Sequence, residues 1–239
     1  HVSPPREGWE ANLHIDGFGR VKRSLANVMT ILINHPAWHE VLAYDAFGDV
    51  VLSTTPPPVR DSDRPRNHSA GVWTDADTVR TAAWLSGAYL IDPGIETVEH
   101  AVATVAKKNP IHPVRDYLRS LRWDAIQRLP TLLSSYFGAE PTGYAEAIGV
   151  RWMVSAVARV EQPGCKADHM LVLEGEQGIG KSTALSILAG QWFADTGIVL
   201  GDKDSYQALR RVWLYEFAEL SSLRSARDVE RVKSFVSSP

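Results

Sequence analysis

Apolar residues recur along this chain in two registers, one helical and one extended. Leu25, Val28, Met29, Leu32 and Ile33 follow the i, i+3, i+4, i+7 spacing that gathers side chains on one face of an α-helix, and Ser24 ahead of them is a capping residue type. Asn34-His35-Pro36 ends that helix, because proline steers the residue before it out of the helical region. Residues 41–44 and 50–52 are short apolar strand candidates. Gly48, between Asp45 and Asp49, predicts a hairpin between them. Periodicity then lapses over residues 54–71. There Pro56-Pro57-Pro58 and the alternating charges from Arg60 to Arg66 predict an exposed loop.

From Trp73 to Leu133 the register is helical. Thr74 followed by Asp75-Ala76-Asp77 is a helix start with acids in the first turn, and Val79, Ala82, Ala83 and Leu85 continue it. Asp92-Pro93-Gly94 is a turn. Glu96 or Thr97 opens the next helix, with Val98, Ala101, Val102 and Val105 on one face, and Asn109-Pro110 stops it. His112-Pro113 begins another, with Val114, Tyr117, Leu118 and Leu121 apolar. Short helices joined by tight turns fit a helix-turn-helix module and a plain helical bundle equally.

Gly138 to Pro141 reads as a boundary, and beyond it the two registers alternate. A helix is predicted over 144–160, a strand at Leu171-Val172-Leu173, and a helix through Ala184, Leu185, Ile187 and Leu188. A strand at Ile198-Val199-Leu200, a helix through Tyr206 and Leu209, and an apolar strand from Arg211 into Glu216 follow. A final helix carries Val229, Val232 and Phe235. Strand–helix alternation predicts an α/β core over 139–239, preceded by a mainly helical α+β domain over 1–138.

Candidate chemistry sits at the first strand-to-helix junction of that core. Gly175, Gly180, Lys181 and Ser182 fit the G-x-x-x-x-G-K-[ST] pattern of a phosphate-binding loop. Glycines let backbone N–H groups turn inward around phosphate oxygens, and the helix starting at Lys181 adds the positive end of its dipole. The expected nucleotide-binding residues are Gly175, Glu176, Gln177, Gly178, Ile179, Gly180, Lys181, Ser182 and Thr183. Lys181 is a mobile charge for the terminal phosphates, and the Ser182 hydroxyl is a Mg²⁺ ligand. Downstream, an apolar strand running into an acid is what a Walker B segment requires. Glu216 at the strand end is the expected Mg²⁺-side carboxylate and Glu219 the expected activator of water, although their order could be reversed.

Composition narrows the setting. The formal net charge of the 239 residues is −3, so nucleic-acid contact would have to come from local patches. Lys107, Lys108, Arg115, Arg119, Arg122 and Arg128 form the most basic stretch. Arg115, Arg119 and Arg122 recur at helical spacing and suit a DNA or RNA backbone as well as they suit solvent. Arg20, Lys22 and Arg23 read first as a solvated turn and second as a phosphate-contacting loop. The single Cys165 forms no internal disulfide and fits a reducing, cytoplasmic compartment. Cys165 and His169 have no second pair to complete a metal site. No apolar run approaches the ~18 residues of a membrane span, and no signal-peptide pattern opens the sequence.

The stretches His112–Leu118, Trp123-Asp124, His169–Ser182, Gly201–Asp204 and Leu214–Leu220 resemble the virulence-associated protein E family, best over about 110–239. The resemblance implies a P-loop ATPase of a phage, plasmid or mobile island, similar to superfamily 3 helicases. It implies ATP and Mg²⁺ as ligands and an AAA+-like core of the additional-strand type. It also implies a homo-oligomeric ring acting on single-stranded or forked DNA, with a fused or partner primase. Lys181, Glu216 and Glu219 would be catalytic, with Ser182 and Glu216 on the metal. The family's downstream polar sensor and arginine finger find no match before Pro239. The expectation is therefore a piece of a longer protein, with its P-loop NTPase core incomplete on the C-terminal side. Two other readings stand beside the motor: a nucleotide-holding DNA-interaction or assembly module that does not hydrolyse by itself, and a small-molecule P-loop kinase. The Glu-x-x-Glu segment and the lack of an acceptor pocket weaken the kinase.

Overall fold

The helix expected after Ser24 forms in the computed structural model of the chain, which describes residues 8–65, 69–167, 169–197, 207–217 and 226–236. It is α1 (Leu25–Asn34), and the Ser24 side chain accepts the Asn27 amide at its start. Val28, Ile31 and Leu32 face inward, as the spacing predicts for Val28 and Leu32. The fourth buried position is Asn27, which the apolar pattern passes over. Its Oδ1 accepts from the His14 amide at 2.8 Å, and its Nδ2 donates to the carbonyls of His14 (2.7 Å) and Lys22 (2.8 Å). A buried amide with its bonds filled ties the preceding segment to the helix.

The chain divides into two compact units between His112 and Pro113. In the first, β1 (Leu42–Asp45) and β2 (Val50–Ser53) form the expected antiparallel hairpin. Asp45 closes its turn by accepting the amides of Phe47 (3.0 Å) and Gly48 (2.9 Å). β3 (Gly71–Val72) adds to β2, and β4 (Pro110–Ile111) pairs parallel to β1, giving the order β3-β2-β1-β4. Between β3 and β4 run α2 (Asp75–Tyr89) and α3 (Ile95–Ala106). Thr74 caps α2 with a full capping box to Asp77, and α3 starts behind Gly94, one to two residues earlier than expected. α1 packs on α3 and α3 packs on the hairpin, and Val28, Ile31, Leu85, Val98 and Val102 make the centre of the core.

In the second unit, α4 (Pro113–Ser120), α5 (Leu132–Phe137) and α6 (Gly143–Glu161) precede the glycine-rich segment. The expected domain boundary at 138/139 therefore falls inside this unit. Gly138 reads like a linker because it ends α5 in the left-handed region, at φ 69°. Yet Leu132 and Leu133 of α5 are buried, and a Cβ built on Gly149 of α6 would lie 3.2 Å from the Leu133 side chain. Helix α5 thus uses a glycine notch in α6, a contact that no local pattern announces.

Beyond α6 come α7 (Lys181–Ala189), β5 (Phe193–Ala194), β6 (Leu214–Tyr215) and a last helix, Ala226–Val236. β5 and β6 pair in parallel, Phe193 against Leu214 and Ala194 against Tyr215. The expected strand at 171–173 joins no ladder among the described residues: β6 is taken by β5 on one side, and 171–173 is not its partner on the other. The strand at 198–200 and the start of the helix at Tyr206 lie outside the described residues. Among the described residues the elements are mixed α/β, and no helix is long and apolar enough to cross a membrane.

Candidate functional site

The glycine-rich segment makes a turn that only its glycines accommodate cheaply. Gly178 (φ 84°) and Gly180 (φ 91°) lie in the left-handed region, where a Cβ would crowd the backbone. Gly180 is also the residue from which α7 starts. Lys181 folds back over this turn, its ammonium donating to the carbonyls of Gly175 and Glu176, each at 2.8 Å. Two of its three donors are used in this way.

Ser182 makes the contact that joins the distant parts of the site. Its Oγ donates to Glu216 Oε1 at 2.7 Å, across 34 residues of sequence. The pairing of β5 with β6 brings Glu216 there. Trp213 N donates to Trp192 O (2.8 Å) and Glu216 N to Ala194 O (2.9 Å), which continue the ladder on either side. Trp213 Nε1 donates to Ala156 O at 3.0 Å and anchors the strand to α6. Tyr215 and Phe217, the neighbours of Glu216, meet edge to face at 4.8 Å, and Phe217 meets Phe235 of the last helix at 5.7 Å.

Glu216 Oε2 is buried and has no hydrogen-bond partner among the described residues. A buried carboxylate oxygen left unpaired costs free energy on the order of 1–3 kcal/mol or more. A cation beside it removes that cost. A serine hydroxyl and a carboxylate are hard oxygen donors of the kind Mg²⁺ takes, usually with waters and substrate oxygens completing the shell. The donor set therefore fits the metal expected from the sequence. Among the described residues no cluster of three or more His, Cys, Asp or Glu side chains suggests a metal site held by protein alone.

These groups line a cleft of about 1560 Å³, open to solvent, larger than the ~300–1,000 Å³ of most small-molecule sites. Of the nine expected nucleotide-binding residues, Gly175, Gln177, Gly178, Gly180, Lys181, Ser182 and Thr183 line it. Glu176 contributes its carbonyl to Lys181, and Ile179 is 59% exposed. Glu216 is in the cleft, and Glu219 lies outside the described residues. Arg159 and Trp152 of α6 also face the cleft, although the sequence singled out no role for them, and so does His169, from the segment that leads into the glycine turn. Nothing local could have found Arg159 and Trp152, since the packing of α6 against Trp213 places them there.

The basic stretch is largely engaged within the chain. Arg115 Nη2 donates to Val160 O at 2.8 Å, and Arg119 pairs with Glu161 at 2.8 Å. Arg128 binds both carboxylate oxygens of Asp124, at 2.8 and 2.7 Å. The Arg128 guanidinium and the Ile126 amide hold the Asp124 carboxyl down to a pKa of about 2. Helix α4 stops at Ser120, so Arg122 leaves the shared face expected of Arg115, Arg119 and Arg122. Lys107 stands 5.6 Å from the centre of the Tyr44 ring.

The sequence profile described as a virulence-associated protein E-like domain matches residues 118–239, half of the chain, and so takes in the glycine turn, α7 and β6 together. No curated protein matches the chain.

Proposed function

The chain belongs to the virulence-associated protein E-like family, and from that premise we propose that its second unit is the nucleotide-binding part of an ATP-driven motor of the replicative helicase type, acting on DNA. The contact between Ser182 Oγ and Glu216 Oε1 carries the reading. Two residues 34 positions apart, each typed for metal work by its own motif, meet at 2.7 Å, and the second carboxylate oxygen is buried without a partner.

In this proposal the amides of 175–183 surround the phosphates, and the helix start at Lys181 adds its dipole. Lys181 supplies a point charge within reach of the terminal phosphate oxygens. Ser182 and Glu216 hold Mg²⁺, and Glu219 accepts the proton of the attacking water. Bound Mg–ATP supplies a γ-phosphoryl group for transfer to that water. An AAA+-like P-loop arrangement, a homo-oligomeric ring, a fused or partner primase and a cytoplasmic setting belong to the same proposal.

Calorimetric titration with Mg–ATP and phosphate release with and without single-stranded DNA test it. Lys181→Ala removes a charge-assisted contact worth about 1.5–3 kcal/mol, so nucleotide affinity should fall about 10- to 100-fold. Glu216→Gln should weaken the dependence of binding on Mg²⁺. Unchanged affinity in Lys181→Ala would overturn the phosphate-loop assignment. Binding without turnover, with or without DNA, would replace the motor by a nucleotide-holding module. Transfer of phosphate to a small acceptor instead of water would identify a kinase.

A further inference from the structure

We propose that the turn from Trp123 to Arg128 is a stacking platform for single-stranded DNA, apart from the nucleotide cleft. The inference rests on the DNA reading above and gives the strand a place to bind.

Trp123 is 74% exposed. A lone exposed apolar side chain needs no explanation, but this one is held in place. Its Nε1 donates to Ile126 O at 3.2 Å. Asp124 Oδ1 accepts the Ile126 amide at 3.1 Å, and Arg128 grips both Asp124 oxygens. Ala125 completes the turn at φ 66°. These cross-links order the turn before any partner arrives, so binding loses little conformational entropy there. They also satisfy the polar edge of the indole. What remains to offer is its flat π faces, which a nucleobase can stack on whatever its identity.

The surrounding charge selects the partner. Between Tyr117 and Leu129 there are three arginines, Arg119, Arg122 and Arg128, against one acid, Asp124. Arg122, next to Trp123 in the sequence, is exposed and has no partner among the described residues. Arg119 and Arg128 keep side-chain exposures of 65% and 48% while Glu161 and Asp124 fix their orientation. Each guanidinium has five N–H groups, so a carboxylate partner leaves donors over for phosphate. A fixed aromatic face among cations is the combination that tracks single strands: bases on the ring, backbone on the arginines. Tyr144 of the same unit makes the contrast. It is 78% exposed, but Glu140 and Glu146 are its charged neighbours in sequence.

The test is fluorescence anisotropy of the full chain with a labelled oligothymidylate of about 20 nucleotides, without nucleotide and at low salt. Trp123→Ala should weaken binding about 5- to 100-fold, Trp123→Phe should keep most of the affinity, and Tyr144→Ala should leave it unchanged. Arg122→Gln should lower affinity and reduce the slope of log K against log salt by about 0.7, the loss of one phosphate contact on a single strand. Circular dichroism checks that each variant is folded. If Trp123→Ala is folded and binds like wild type, the platform is wrong while the DNA reading stands. If wild type binds no oligonucleotide, the DNA reading fails with it. If Trp123→Ala changes the sedimentation of the protein instead of its DNA affinity, the turn is a protein contact and the proposal falls.

Discussion

Single residues already separate local chemistry from long-range chemistry in this chain. The conformations of Gly178 and Gly180 were legible in the sequence, because a glycine-rich turn into a helix requires left-handed backbone. Gly180→Ala would force a side chain into φ 91° at the start of α7. We expect a loss of about 1–2 kcal/mol, read as a lower urea midpoint for the second unit together with weaker Mg–ATP binding. His35 was legible only as the end of α1. Its Nδ1 accepts the Ala37 amide at 3.1 Å, and its ring meets Trp84 edge to face at 5.0 Å. Burial lowers its pKa below the ordinary 6.5, with Glu10 opposing weakly. The folded state therefore binds fewer protons than the unfolded state once the pH drops below about 6.5. His35 contributes full stability above that value, loses it as the pH falls toward the folded pKa, and levels off beneath. Thermal melts between about pH 8 and pH 5 should show the decline. His35→Asn, which keeps a side-chain acceptor for Ala37 and removes the titration, should flatten it.

Among the elements, helices were read more faithfully than strands, and the reason is physical. A helix start is fixed by a cap within three residues of itself. Ser24, Thr74 and Thr142 each accept an amide where their helices begin. Thr74→Ala removes the cap and half of the Thr74–Asp77 box, so the first unit should lose about 1 kcal/mol in chemical denaturation. A strand needs a partner far along the chain, and residues 171–173 are apolar enough for one without gaining a ladder among the described residues. The same distance hides the pairing of α4 with α6. By spacing alone, Arg115 and Arg119 suit a nucleic-acid backbone and solvent equally. Glu161, 42 residues beyond Arg119, takes both, at 3.5 and 2.8 Å. Glu161 is about one-third exposed, so solvent screens the pair only in part. Glu161→Gln should cost the second unit about 1 kcal/mol or less, with a smaller difference from wild type at high salt.

For the molecule as a whole, the buried residues predict two unfolding events. The first unit has a continuous core from Leu13 to Ala106, centred on α1, α3 and the hairpin. The described residues of the second unit bury fewer and more scattered apolar side chains: Val114, Leu132, Leu133, Ala145, Val160, Ala189 and Val232. Since stability follows buried apolar area, the second unit should melt first. Calorimetry should resolve two transitions instead of one. The candidate site lies entirely in the second unit, with Lys181, Ser182 and Glu216 on the walls of one cleft. A ligand stabilises only the unit that binds it, by about 2.7 kcal/mol when its concentration is a hundred times its Kd. Saturating Mg–ATP should therefore raise the lower transition by several degrees and leave the upper one in place. Lys181→Ala should remove most of that shift without moving the transitions of the free protein far, because its two bonds to loop carbonyls are exposed. A single transition moving as a whole with Mg–ATP would show that the two units unfold together. A shift of the upper transition alone would place the nucleotide on the first unit, against the assignment of Gly175 to Thr183.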